Sequence, residues 1–179
     1  ETFRTDDKSD YEKFIKSIPV SDKDIYHQMI TSYMLQVFHN IYNVYLAKEK
    51  FILLIQGNQG DGKTPFITDY FLSIFNKFQF IDESYSSNVD KDNQLKLAQS
   101  VFIFDDELSA LSSDKIENLK KKTAQRLVNV RPAFFKNNVR TRAITNFVGC
   151  TNNHTIFSDN TGNDRFRIIK LNSKFKFRN

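Results

Sequence analysis

The chain has 179 residues and a mass of 21.0 kDa, the size of one domain, and at 40% apolar and 26% charged it can bury a core. Five glycines, three prolines and a single cysteine, Cys150, exclude fibrous and low-complexity chains, a disulfide framework and any multi-cysteine metal site. They point to a reducing compartment, hence a cytoplasmic protein, and the longest apolar stretch, 51–55, is too short to span a bilayer, so no membrane partner is expected.

Residue 1 is Glu and no signal-peptide pattern follows it, so the sequence reads as an excised domain with neighbouring domains missing. The net charge of +5 is unevenly spread. Residues 115–142 carry nine basic side chains against Glu117, a net +8, and 165–178 carry six basic and no acidic ones, leaving −9 for the remainder. A basic half joined to an acidic one suggests a polyanionic partner.

In chain order, residues up to about Asp10 are polar. Residues 24–48 carry apolar side chains at helical spacing, with Ser21 and Asp22 as caps, and predict one or two helices. His27 and His39 lie within this pattern without acidic or cysteine partners at ligand spacing and read as surface or packing residues. The apolar run 51–56 predicts a strand buried on both faces, ending in a glycine-rich turn. A helix from Lys63 to about Phe75, a strand near 78–81, a polar loop over 83–93 and a helix over 92–99 follow. Val101-Phe-Ile-Phe104 is a second buried strand, and Ser112, Ser113 and Asp114 open a basic helix running to about Gln125. Residues 127–135 and 139–145 form two extended arms around Lys136-Asn-Asn138, a hairpin whose second arm runs on into a core strand at 146–151. A last strand covers 166–171. Strands alternating with helices indicate a three-layer α/β fold on a mostly parallel sheet.

Gly57-Asn58-Gln59-Gly60-Asp61-Gly62-Lys63-Thr64 fits G-x-x-x-x-G-K-[ST] between a predicted strand and a predicted helix, the context this phosphate-binding loop requires. Glycines let successive N–H groups turn inward toward phosphate oxygens; Lys63 reaches the β- and γ-phosphates and the Thr64 hydroxyl ligates Mg²⁺. Pro65 supplies no N–H, so one phosphate hydrogen bond is expected to be missing or replaced. Downstream, four apolar residues run into Asp105-Asp106-Glu107, where one acid holds Mg²⁺ and its neighbour polarises the attacking water. Two registers are open: Asp105 with Asp106, or Asp106 with Glu107. Asn152 and Asn153 follow a core strand; an amide there can orient the attacking water, and a plain Asn turn reads equally well. The absence of N-K-x-D argues against a GTPase. The hairpin interleaves Arg131, Lys136, Arg140 and Arg142 with Phe134 and Phe135, which suits phosphate contact and base stacking on single strands, or pairing with a neighbouring subunit's acids.

The octet at 57–64, Asp105-Asp-Glu-Leu108, Val130-Arg-Pro132, Val148-Gly-Cys-Thr-Asn152 and Asp159-Asn-Thr-Gly-Asn-Asp-Arg-Phe166, in that order, resemble the virulence-associated protein E (VapE) ATPase domain, which is related to superfamily 3 helicases of phages and mobile elements. The resemblance spans roughly 51–171. It implies a P-loop NTPase fold of the AAA+ or superfamily 3 helicase type, with a mostly parallel five-stranded sheet, N-terminal helices and an inserted β-hairpin. It further implies Asn152 as the sensor, Lys120 as the lysine of the helix after the acidic motif, Arg131 as the arginine of the intermediate motif and Arg165 as a finger acting across a subunit boundary. Asp164 and Arg167 stand where the family often has arginine and tryptophan, and its tyrosine-glycine after Arg-Pro is Ala133-Phe134 or Phe134-Phe135 here.

The expectation is therefore an N-terminal helical segment (1–49) packing on a core (50–172), with a basic tail at 173–179. The function expected is a Mg²⁺-dependent ATPase, with ATP as cofactor, serving as motor of a DNA helicase or replication protein. Catalysis falls to Lys63, Asp105, Asp106, Glu107, Asn152 and Arg165; metal to Thr64, Asp105 and Asp106; DNA to Lys120, Arg131, Phe135, Lys136, Arg140 and Arg142. Partners implied are single-stranded or forked DNA, further copies in a ring (a hexamer) and a primase. A nucleotide or small-molecule kinase, and a nucleic-acid-binding module with a vestigial NTPase, are the alternatives.

Overall fold

The computed structural model of this chain describes residues 16, 18–42, 50–71, 80–82, 91–106, 113–131, 136–153 and 163–175. Asp22 caps the first described helix, α1 (Lys23–Tyr42), its carboxylate accepting the Ile25 N–H at 3.1 Å. The apolar stripe of α1 buries Ile30, Tyr33 and Val37, and the Tyr33 hydroxyl donates to the Phe147 carbonyl at 2.8 Å. Burial pushes that phenol's pKa well up.

Five strands form the main sheet: β1 (Ile52–Gln56), β2 (Phe80–Asp82), β3 (Phe102–Asp105), β6 (Asn146–Thr151) and β7 (Phe166–Lys170), in the order β2-β3-β6-β1-β7. Every pairing is parallel, with Leu53 opposite Val148 and Ile52 opposite Phe166. The fold is α/β, and β1, wholly buried, is central as its unbroken apolar run requires. Leu53 and Ile55 face one cluster with Ile30, Tyr33 and Val37 of α1 and with Phe66 and Ile67, while Ile52 and Leu54 face another with Leu97, Leu119, Val128 and Val130. The second cluster brings in α3 (Lys91–Gln99), α4 (Ser113–Ala124) and a separate antiparallel ribbon, β4 (Leu127–Val130) with β5 (Val139–Arg142). The sheet thus has helices on both faces, an arrangement compatible with α/β nucleotide-binding folds.

Three expectations change. The helix after the glycine loop, α2, is α-helical only over Lys63–Pro65 and continues as a π-helical stretch over Phe66–Phe71, a wide turn that lets Phe66 and Ile67 both enter the core. The second hairpin arm does not run into β6: it stops at Arg142, and the chain crosses to the main sheet over 143–145. There the Ile144 N–H bonds to the Leu97 carbonyl at 3.0 Å and the Thr145 hydroxyl to the Ser100 carbonyl at 2.7 Å, so the end of α3 takes over from the ladder. The basic segment after 172 begins in the core: Phe175 is buried, stacks edge-on against Phe66 at 5.1 Å and donates its N–H to the Asp61 carbonyl. No described helix is long and apolar enough to cross a membrane.

At the start of the strands, Gln36 and Asn40 of α1 donate side-chain N–H groups to the Asn146 amide oxygen at 3.2 and 2.6 Å, and Asn146 donates to the Val101 and Ile144 carbonyls, both at 3.1 Å. This buried amide network satisfies its own donors and fixes α1 against β6.

Candidate nucleotide-binding site

β1 ends at Gln56, and the glycine loop begins where its neighbour β6 ends, the Gly57 N–H bonding to the Thr151 carbonyl at 3.2 Å. Gly60 and Gly62 hold φ of 84° and 81°, which only glycine adopts freely, and their curl bends the main chain back on itself. Asp61 braces the turn: its carboxylate accepts the Asn58 N–H at 2.6 Å and its own N–H reaches the Asn58 carbonyl at 3.3 Å. At Gly57 space is tight for a separate reason: a Cβ there would come within 3.0 Å of the Asp61 carboxylate and 3.4 Å of Leu171, so a side chain would press on the Asp61 brace.

Lys63 is only 8% exposed, with its amine on two carbonyls of the loop itself, Gly57 at 3.0 Å and Asn58 at 2.6 Å. The Thr64 hydroxyl lies 2.5 Å from an Asp106 carboxylate oxygen. That contact bears on the open register. Phe104 packs in the α1-side cluster and Ile103 in the other, so strand alternation puts Asp105 on the face away from α2, and it is Asp106 that the structure brings to the loop. Hydroxyl and carboxylate oxygens side by side are the hard donors Mg²⁺ takes when phosphates and water complete its shell, so the two residues fit that ion. The described residues hold no cluster of three or more His, Cys, Asp or Glu that could bind a metal unaided. Glu107 lies outside the described residues, as does Phe135.

Asn152 follows β6 on this same edge and is exposed, on the strand between those carrying the loop and Asp106. The turn after it is held from both sides: the Thr151 hydroxyl accepts the Asn153 N–H at 3.1 Å, and the Gln56 side-chain amide donates to the Asn153 carbonyl at 2.8 Å. Gln56 is 2% exposed and its amide oxygen has no partner among the described residues. It went unread in the sequence, although a polar residue closing an apolar run was a visible signal. Cys150 lies beneath the site; burial raises its thiol pKa well above the usual value, the Asp106 charge acts in the same direction and Lys63 opposes them.

The other sequence candidates are elsewhere. Arg165 precedes Phe166, which pairs with the first residue of β1, so it stands at the opposite edge of the sheet, about 17 Å from the loop at 3.3 Å per residue. Its guanidinium donates to the Lys120 carbonyl at 3.3 Å, and the Lys120 amine lies over the Phe166 ring at 5.9 Å. Arg131, Lys136 and Arg140 are exposed on the hairpin. Arg142 is half-buried and donates instead to the Asn40 carbonyl in the last turn of α1.

Among solved structures, the apo structure of the NrS-1 C-terminal region (305–718) is similar at a TM-score of 0.60 and 17% identity, over 93% of this chain and 39% of that one. The A form apo structure of the same region is similar at 0.50 and 20%, over 92% and 42%. The chain thus spans about two fifths of the length of these neighbours, and the likeness is one of fold. No curated protein matches it. The virulence-associated protein E-like domain model matches residues 1–179, and the chain belongs to that family.

Proposed function

We propose that this domain is the Mg²⁺-dependent, ATP-hydrolysing motor of a superfamily 3-type DNA helicase or replication protein from a phage or mobile element. The observation that carries the reading is the 2.5 Å contact of the Thr64 hydroxyl with Asp106, which joins the loop after β1 to the acidic end of β3. Asn152 stands on the strand between them.

In this reading the loop N–H groups and Lys63 bind the phosphates of ATP, and Thr64 and Asp106 hold Mg²⁺, which supplies charge neutralisation at those phosphates. Glu107, next in sequence, polarises the attacking water and Asn152 orients it, with Gln56 and Thr151 fixing the turn beyond Asn152. Arg165 is too far from its own loop to serve it, so it acts on a neighbour's nucleotide in a ring. DNA lies along the hairpin that carries Arg131, Lys136 and Arg140.

The test is phosphate release from ATP with and without single-stranded DNA, for the natural chain and for Lys63→Met. Hydrolysis that needs Lys63 and is stimulated by DNA supports the motor. Hydrolysis indifferent to DNA and transferred to a small acceptor replaces it with a kinase.

A further inference from the structure

The side chains of Lys50 and Arg142 meet where the hairpin passes into β6, close to the Arg126 main chain, at the edge of the sheet opposite the glycine loop. The Lys50 amine donates to the Ala143 carbonyl at 3.1 Å, and the Ala143 N–H in turn bonds to the Arg126 carbonyl at 2.9 Å. Arg142, next in the chain, donates to the Asn40 carbonyl.

Lys50 and Arg142 are both half-buried, and among the described residues each hydrogen-bonds only to a neutral main-chain carbonyl. Burial first, then the charges of Arg126 and Arg142, push the Lys50 amine down to about 8. The elements packed against it offer no described carboxylate in these contacts. α1 supplies the Asn40 carbonyl and the Gln36 amide, which accepts the Phe51 N–H at 2.8 Å; β6 supplies the neutral Asn146.

Holding cations together with one of them partly dehydrated is unfavourable unless an anion joins them. Among the described residues donors remain for one: the Lys50 ammonium gives one of its three N–H to a carbonyl, and the Arg142 guanidinium has five N–H with one acceptor given. The chemistry of the anion follows from what continues along β5. Arg140, two residues before Arg142 and about 6.6 Å away along the strand, is exposed, and Lys136 stands exposed at the turn. A row of cations leading from the hairpin tip to this pocket fits a repeating polyanion better than a single small one.

We propose that Lys50 and Arg142 form a phosphate-binding pocket at the base of the hairpin, which takes a backbone phosphate of single-stranded nucleic acid. The proposal deepens the DNA-motor reading and rests on it for the identity of the polyanion.

The probe is a fluorescent dT20 strand, titrated into the natural chain, Lys50→Met and Lys50→Arg at pH 7 and pH 9 over a salt series, with melting temperatures recorded and inorganic pyrophosphate as competitor. Binding by the natural chain weakens between pH 7 and pH 9 as Lys50 loses its proton, by about fivefold at 0.1 M salt for one lost contact with a slope near 0.7. Lys50→Arg, permanently charged, binds equally at both pH values. Lys50→Met binds weakly at both, with a salt slope shallower by about 0.7. Pyrophosphate competing at concentrations that leave the dT20 salt slope unchanged would instead mark a small-anion site. If folded Lys50→Met keeps the natural affinity and slope, or all three proteins share one pH dependence, the cations are struts of the fold and the proposal fails while the motor reading stands. If the natural chain hydrolyses ATP yet binds no dT20, the pocket fails together with the DNA reading.

Discussion

Lys63 gives the sharpest test of the site because the bracing seen in the structure and the phosphate contact proposed for it are separable. Its amine is bonded to the Gly57 and Asn58 carbonyls at 3.0 and 2.6 Å, and its stem is buried, so it braces the loop. Lys63→Met keeps most of the stem and removes both bonds. At a net 0.5–1.5 kcal/mol per bond the loss is about 2 kcal/mol, or about 4–8 °C in melting temperature for a domain of this length. On the proposed function the same substitution would also remove a positioned cation from the phosphate that gains charge in the transition state, a loss on the order of 10²–10³ in rate. Calorimetry and steady-state phosphate release on one preparation read both effects. A melting temperature unchanged within about 1 °C would refute the bracing role. Hydrolysis within tenfold of the natural rate, in a folded variant, would remove the loop from catalysis.

Asp61→Ala, which opens the brace on Asn58, should weaken ATP binding about fivefold, because an exposed charge-assisted bond holds the loop at about 1 kcal/mol; an unchanged Kd in a nucleotide titration contradicts it. Arg165→Ala should spare ATP binding and cut turnover by about 10³, and mixing it with Lys63→Met under subunit exchange should restore part of the activity; a dead mixture with proven co-assembly places Arg165 in a structural role. Because Lys50 is lowered to about 8 in the fold and returns to about 10.4 on unfolding, the unfolded chain holds the extra proton between these values, so stability rises with pH there. The gain should be on the order of 1 kcal/mol after allowance for partial exposure, and Lys50→Met should lack it; equal pH dependence of denaturation in both proteins counts against it.

What could be read in the sequence was local. An apolar run breaking into glycines, and another breaking into acids, each carry their own signal, and Ile52–Gln56 and Phe102–Asp105 are strands where those runs lie. The acid that faces the loop could not be read, because the last paired residue of β3 is fixed by its ladder partner, Asp105 opposite Gly149. Nor could the break between β5 and β6: Ala143-Ile-Thr145 is as extended in composition as the arms around it, and the carbonyls that capture it lie more than forty residues upstream, in Leu97 and Ser100. Phe175 was obscured by its basic neighbours, since its partner Phe66 is over a hundred residues away. Gln36 and Asn40 look like the polar face of a helix until Asn146 closes the network that buries them.

The parallel sheet has a further consequence. Its C-terminal edge gathers the glycine loop, Asp106 and Asn152; its N-terminal edge gathers Arg165, the hairpin exit and Lys50. Two adjacent strands run the whole way between them. β1 starts two residues after Lys50 and ends at the loop, and β6 starts where the hairpin is released and ends at Thr151, immediately before Asn152. Both are buried throughout and are paired from Leu53 opposite Val148 to Gln56 opposite Thr151, so they shift as a unit rather than bend. A load taken up at the base of the hairpin therefore has a stiff route to the groups proposed to orient water at the γ-phosphate. Adjacency of this kind is not coupling until an energy is measured. Lys50→Met and Asn152→Ala, singly and together, should give DNA-stimulated hydrolysis rates that fail to multiply, with an interaction of about 0.5 kcal/mol or more. Rates that multiply within error would leave the two edges independent, with DNA acting on ATP through the neighbouring subunit instead.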